Sequence, residues 1–383
     1  MALKISTRGT IPPFLALDIM GDVQRRVTEG ADIVHLEVGQ PSSKAPQKVL
    51  ATAREALLTD AIGYTPAFGL PELRARLARH YRDTYGVAVD PARIAMTTGS
   101  SGGFVLSFLA AFDVGDRVAL ACPGYPAYRN ILLALGIEVV DIPVGPETRF
   151  QPTVRALDGL AKPIDGLIVA SPSNPAGTML HDAEMKALCD WCRDHEVRLI
   201  SDEIYHGITY GVQGVSALAY DCGGVVINSF SKYFSMTGWR LGWLVAPEDL
   251  ARPIECLAQS LFISPPTLSQ IAALSAFDCR EELDGNVARY RKNRDLLLEE
   301  LPKAGFDKLS PAEGGFYLYA DVSDQTASSE DLCRRMVAEI GVAVTPGVDF
   351  DPHRGHRFIR LSFAGAHEDM IRACRRLKDW RRN

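Results

Sequence analysis

The sequence predicts an α/β fold, with a large and mainly parallel sheet followed by a smaller α+β layer. Three observations carry that prediction. From about residue 45 onward, short apolar runs alternate with helical stretches. Most of those runs lack clean in-and-out alternation, which is the pattern of strands buried on both faces. Finally, 383 residues exceed what one ordinary hydrophobic core organises, so two units are expected.

Residues 14–29 read as a helix and residues 33–38 as a short strand running into Gly39-Gln40-Pro41. Pro46–Leu58 reads as a helix with proline in its first turn, where a missing N–H leaves nothing unsatisfied. Leu70–Tyr85 reads as another. Seven strands follow in series: Arg93–Thr97, Arg117–Ala121, Glu138–Ile142, Gly166–Ala170, Arg198–Ser201, Val225–Ser229 and Gly242–Val245. Helices such as Gly103–Phe112 and Asp182–His195 lie between them, and this alternation predicts one mainly parallel seven-stranded sheet. A long helix near Asp284–Leu301 leads into a tail of different character. There, strands Gly315–Ala320, Val342–Val344 and Phe358–Phe363 alternate with helices Ser329–Ile340 and His367–Trp380.

Composition narrows the possible functions. Hydrophobic residues make up 47% and charged residues 23%, the balance of a soluble globular protein. The net charge of −6 arises from scattered mixed signs, without the basic block of a nucleic-acid or membrane-surface binder. No apolar stretch reaches the ~18 residues a membrane span needs. Lys4 and Arg8 are followed by Pro12, Pro13 and Asp18 rather than by the apolar run of a signal peptide, so a cytoplasmic protein with small-molecule partners is expected. Eight cysteines are scattered through apolar contexts. Cys189 and Cys192 form a CxxC, but no second ligand pair accompanies it, and it reads as two small apolar residues on one helical face.

Unusual polar residues cluster just after the apolar strands, where open α/β sheets bind ligands. Thr98-Gly99-Ser100-Ser101-Gly102-Gly103 joins a strand to an apolar helix, and its small residues let N–H groups converge on an anion, although a plain tight turn fits the same letters. Cys122-Pro123-Gly124-Tyr125-Pro126 could lay a tyrosine ring against a flat heteroaromatic, or simply pack. In Ser171-Pro172-Ser173-Asn174-Pro175-Ala176-Gly177, two prolines restrict the backbone around Asn174. Asp202, in Ser201-Asp202-Glu203-Ile204-Tyr205, ends an apolar strand and needs a compensating cation or a capping role. Lys232 follows the buried strand Val225–Ser229 and sits among serines, where an amine can lose part of its basicity and condense with a carbonyl. Arg240, eight residues on, offers a planar fork suited to phosphate. An amine for an aldehyde, an anion site and a buried carboxylate are together what pyridoxal phosphate requires.

These segments resemble the class I/II aminotransferases of the fold-type-I pyridoxal-phosphate family, related to aspartate aminotransferase. SPSNPAGT, SDEIY and SFSK…TGWRLGW, in this order and spacing, carry the resemblance, which extends from Gly39-Gln40-Pro41 to Arg360. It implies a large cofactor-binding domain over residues 45–283, and a small domain made by residues 1–44 and 284–383. It implies that Lys232 holds the pyridoxal 5'-phosphate aldehyde and shuttles the substrate proton, while Asp202 pairs with the pyridine nitrogen. Asn174 and Tyr205 would bond the ring hydroxyl, Tyr125 would stack on the ring, and Ser100, Ser101, Ser229 and Arg240 would hold the phosphate. Tyr64, in Gly63-Tyr64-Thr65-Pro66, would reach the phosphate of a partner subunit in a homodimer. Arg360, in Phe358-Ile359-Arg360-Leu361-Ser362, would clamp the substrate carboxylate, with Asn174 and the Gly39 backbone beside it.

One departure from the family pattern bears on the substrate. The prokaryotic aspartate branch commonly carries a lysine after the two small residues of the phosphate loop, and here that position is Ser101. A neutral or aromatic amino donor is therefore expected over aspartate. The expected reaction is ping-pong transfer of the amino group to a 2-oxo acid such as 2-oxoglutarate or pyruvate. The alternatives are a carbon–sulfur β-lyase using the same site, a non-catalytic cofactor-binding regulator, and a nucleotide-binding protein. The regulator would carry a further DNA-binding domain, and the dinucleotide fingerprint is missing.

Overall fold

The computed structural model describes residues 3–382. The chain opens with α1 (Leu15–Thr28), β1 (Val34–His35), α2 (Gln47–Thr59) and α3 (Pro71–Tyr85). It then runs β2 (Ile94–Thr97), α4 (Gly99–Ala111), β3 (Arg117–Cys122), α5 (Pro126–Leu135), β4 (Glu138–Pro143), α6 (Val154–Asp158), β5 (Gly166–Ala170), α7 (Asp182–Asp194), β6 (Arg198–Asp202), β7 (Val225–Ser229) and β8 (Gly242–Val245). Helices α8 (Glu248–Leu261), α9 (Thr267–Leu274) and α10 (Arg280–Lys303) follow. The chain closes with β9 (Tyr317–Asp321), α11 (Ser329–Ile340), β10 (Val342–Ala343), β11 (Thr345–Pro346), β12 (Phe358–Ser362) and α12 (His367–Arg382). No helix among the described residues is long and apolar enough to cross a membrane.

Strands β2 to β8 form one seven-stranded sheet in the order β2-β8-β7-β6-β5-β3-β4. All are parallel except β8, which runs antiparallel to both β2 and β7. Successive residues feed opposite faces: Val226 packs in one core with Met96, Leu167, Leu199 and Trp243. Its neighbours Val225 and Ile227 pack in a second core with Ala95, Ile168, Ile200 and Leu244. This two-sided burial is why the strands read as unbroken apolar runs. A third core gathers Leu318, Ala320, Ile359, Leu361, Leu332 and Met370 around the antiparallel sheet β11-β12-β9, and it takes in Val34 and Leu36 from the start of the chain. The strand expected over 33–38 is only β1, paired in parallel with β10 through Val34↔Val342.

The remaining differences are local. The glycine-rich stretch, which the sequence leaves open between an anion-binding helix start and a plain tight turn, is the first turn of α4: Gly99, at φ +72°, reverses the chain directly from strand into helix. Helices α5, α6, α8 and α9 are not among the helices that the sequence pattern marks. α8 tolerates Pro253 within it, forgoing one backbone hydrogen bond because its apolar face, with Leu250, Ile254 and Ala258, is buried. Cys189 and Cys192 lie on the buried face of α7, in the first core.

Candidate active site

The order of strands reverses between β3 and β5, since β4 lies outside β3 on one side while β6 and β7 lie beyond β5 on the other. Side chains leaving the ends of β2, β3, β5, β6 and β7 therefore converge on one crevice. A cavity of about 260 Å³ opens there, and it also borders the third core. Of the residues singled out from the sequence, Gly39, Ser100, Ser101, Tyr125, Asn174, Asp202, Tyr205, Lys232, Arg240 and Arg360 all line it. Two do not. Ser229 is buried behind Ser231, with its hydroxyl 2.8 Å from the Ser231 hydroxyl and 3.0 Å from the Leu241 carbonyl, and it is Ser231 that faces the cavity. Tyr64 lies outside the cavity of its own chain and is 83% exposed.

On the cavity floor the Lys232 amine donates to the Gly39 carbonyl at 2.7 Å. Removal from water, followed by the positive charge of Arg360, brings this amine down to about 8 despite the nearby Asp202. Asp202 is 4% exposed. Burial pushes its carboxyl up to about 6, against the Tyr128 hydroxyl, the Ile204 N–H and the Lys232 charge, all of which favour the ionised form. Tyr128 donates its hydroxyl to one carboxylate oxygen, and Ile204 donates its N–H to the other at 3.0 Å.

The next residue faces away from the cavity. Glu203 accepts from the Ala217 N–H at 2.8 Å and the Ser216 hydroxyl at 3.0 Å. Burial among neutral donors pushes it up to about 8. His206, 2.9 Å from the Tyr85 hydroxyl, is brought down to about 4 by burial.

Arg360, on β12, is 3% exposed. Its guanidinium lies between two rings, 4.5 Å from the centre of Tyr317 and 4.7 Å from that of Phe350. It donates to the Asn174 side-chain oxygen at 3.0 Å and to the Glu37 carbonyl at 2.6 Å. Its Nε is buried with no hydrogen-bond partner among the described residues. The Tyr205 and Tyr317 hydroxyls meet at 2.8 Å. Gly39 is required beside them, because a Cβ there would lie 1.8 Å from the Tyr317 oxygen. At the other end, a Cβ on Gly99 would come within 2.5 Å of the Arg240 guanidinium, which crosses the first turn of α4.

Sequence reasoning missed Tyr128, Ser231, Thr237 and Tyr317, and the apolar roof of Phe14, Ala16, Leu17 and Met20 from α1. A signal did exist for Tyr128, which falls three residues after Tyr125 and so on the same side of the helix that begins there. Nothing local marks Tyr317.

The family model described as aminotransferase class I and II matches residues 31–377. A valine–pyruvate aminotransferase of Mycobacterium tuberculosis is 50% identical, covering 99% of both chains. Among solved structures, an aminotransferase from the same organism superposes with a TM-score of 0.97 at 50% identity, again over 99% of each chain. The aspartate aminotransferase of Thermus thermophilus with maleate gives 0.92 at 30% identity, over 99% of this chain and all of that one.

Proposed function

The chain belongs to the class I and II aminotransferases and has their type-I fold, and from that premise we propose that it moves the amino group of a neutral L-amino acid to a 2-oxo acid with pyridoxal 5'-phosphate as cofactor. One observation carries the reading: a single cavity gathers Lys232, Asp202 and Arg360, an amine, a carboxylate and a guanidinium that an ordinary core would not bury together.

The residues fit the cofactor. Asp202, with its raised carboxyl and no cation in direct contact among the described residues, suits a protonated pyridine nitrogen. Asn174 and Tyr205 are at hand for the ring hydroxyl and Tyr125 for the ring face. The first turn of α4 with Ser100 and Ser101, together with Ser231 and Arg240, suits a phosphate, and Ser229 supports Ser231 from behind. When bound, the group supplies an aldehyde and an electron-withdrawing ring that stabilises charge left on the substrate α-carbon.

The rest falls to the chain. Lys232 would hold the aldehyde and, once freed by the substrate amine, would accept the α-proton at Nζ and pass it to the cofactor's aldehyde carbon, for which an amine near 8 is well matched. Arg360 and Asn174 bind the α-carboxylate and so aim the α-hydrogen at Lys232. One cavity serves donor and acceptor in turn, which makes the kinetics ping-pong. Ser101 at the phosphate turn, and the 50% identity with an enzyme named for valine and pyruvate, support an aliphatic donor and pyruvate as acceptor. We further propose a large domain over residues 45–283, a small domain of 1–44 and 284–383, and a homodimer in which Tyr64 reaches the other subunit's phosphate. Exposed Leu57, Leu58 and Ile62 around Tyr64 support that dimer.

The test is titration of the purified protein with pyridoxal 5'-phosphate, followed by visible absorbance. The expected result is a band that requires Lys232 and bleaches with valine but recovers with pyruvate. A protein that develops no band, or a band that no amino acid bleaches, overturns the assignment.

A further inference from the structure

Helix α1 roofs the cavity yet has almost no hold of its own on the molecule. Among its residues only Ala16 and Val23 are buried, and Phe14, at its N-cap, provides no side-chain acceptor for the first N–H groups. The acceptor comes from the far end of the chain. One Asp349 carboxylate oxygen accepts the Leu15 N–H at 2.9 Å, and the other accepts the Ala16 N–H at 3.2 Å. Asp349 ends a single turn, Gly347–Asp349, that directly follows β11. β11 in turn is paired with β12 through Thr345↔Arg360. The same short stretch of backbone thus lies beside Arg360 and grips the helix above it.

What α1 presents to the cavity is apolar: Phe14, Ala16, Leu17 and Met20. The Phe14 ring sets its edge toward Tyr125, with centres 5.7 Å apart. Leu17 and Met20 remain 54% and 40% exposed, so they line the cavity instead of filling a core. Among the described residues the cations on the cavity wall are Lys232, Arg240 and Arg360. The proposed chemistry commits each of them, to the aldehyde, the phosphate and the α-carboxylate. A second carboxylate on the substrate would meet this apolar roof with no cation left among this chain's described residues to pair with it.

We propose that Asp349 is a positioning residue for substrate selection. By capping α1 it holds Phe14, Leu17 and Met20 over the substrate side chain, and so favours donors with branched or otherwise apolar side chains. The inference rests on the amino-transfer reading above. Losing the cap would free the first turn of α1 and withdraw the roof, while Lys232, Asp202 and Arg360 stay in place.

The experiment compares wild type with Asp349→Ala, Asp349→Asn and the double variant Leu17→Ala, Met20→Ala, all as holoenzyme. kcat and KM are measured for leucine and for alanine, alongside tryptic cleavage after Arg25 and Arg26. Asp349→Ala should lower the leucine-to-alanine ratio of kcat/KM about tenfold, through the KM for leucine, and should speed cleavage of α1. Asp349→Asn, which keeps one acceptor oxygen, should fall between. The double variant should lose the ratio with α1 still protected. Cofactor titration separates the two readings. If wild type forms no Lys232-dependent band, the amino-transfer reading fails. If the band forms but the ratio in Asp349→Ala stays within twofold of wild type, the role of Asp349 alone is overturned.

Discussion

The floor and the roof of the cavity are built on opposite principles. The floor comes from the ends of strands packed on both faces, and its charged groups are sealed in, with Asp202 at 4% and Arg360 at 3% exposure. The roof is one helix, largely exposed, fastened at its first turn by a single carboxylate. Proton transfer depends on fixed geometry and fixed electrostatics, which close packing supplies. Discrimination among side chains depends on an apolar surface that a few substitutions can reshape. The difference teaches that floor variants should harm every substrate alike, while roof variants should separate one substrate from another.

The predictions test that division. Lys232→Ala should reduce kcat by at least about 10³-fold for all donors, since general base and cofactor anchor are lost together; stopped-flow absorbance would show whether the band goes as well. Arg360→Lys keeps the charge but not the fork or its place between Tyr317 and Phe350, so kcat/KM should fall about 10- to 100-fold, equally for leucine and alanine. A strongly donor-dependent loss in that variant would break the comparison. Tyr128→Phe removes a hydrogen bond that favours ionised Asp202, so the Asp202 carboxyl should rise further. About tenfold of activity should be lost, with the acid limb of the kcat/KM profile moved to higher pH. Leu17→Ala should change kcat/KM only a few-fold, and only for bulky donors.

The smallest effect on activity is expected behind the floor. Glu203, folded at about 8 against an ordinary value of 4.5, keeps a proton that the unfolded chain has released. Its contribution to stability is complete below about pH 4.5 and is lost as pH rises towards 8. Glu203→Gln should therefore flatten the decline of Tm between those limits, as scanning calorimetry at several pH values would register.

The sequence revealed the floor far better than the roof, for a physical reason. Lys232, Asp202, Asn174 and Ser100 each follow an apolar strand within a few residues, so strand and site are legible in one window. The seven strands of the large sheet were anticipated to within a residue at each end, because burial on both faces leaves an unmistakable apolar run. Tyr317, Phe14 and Asp349 act through partners that no local pattern reveals: Asp349 and Leu15 stand 334 positions apart. Helix α8 escaped because Pro253 argues against a helix until the packing of its apolar face is known. The local sequence does not tell Ser229 from Ser231 as the hydroxyl that reaches the cavity, and the fold places Ser231 on the cavity wall with Ser229 bonded behind it.

Arg360 reaches back 323 positions to the carbonyl of Glu37, and β1 finds its partner only in β10. The Glu37 carbonyl and β1 therefore find these partners only once Arg360 and β10 have been made. Contacts between segments so far apart in the chain are slow to form, so the side of the pocket that carries Arg360 should order after the local strand pairs of the large sheet, which pulse-labelled hydrogen exchange during refolding would register.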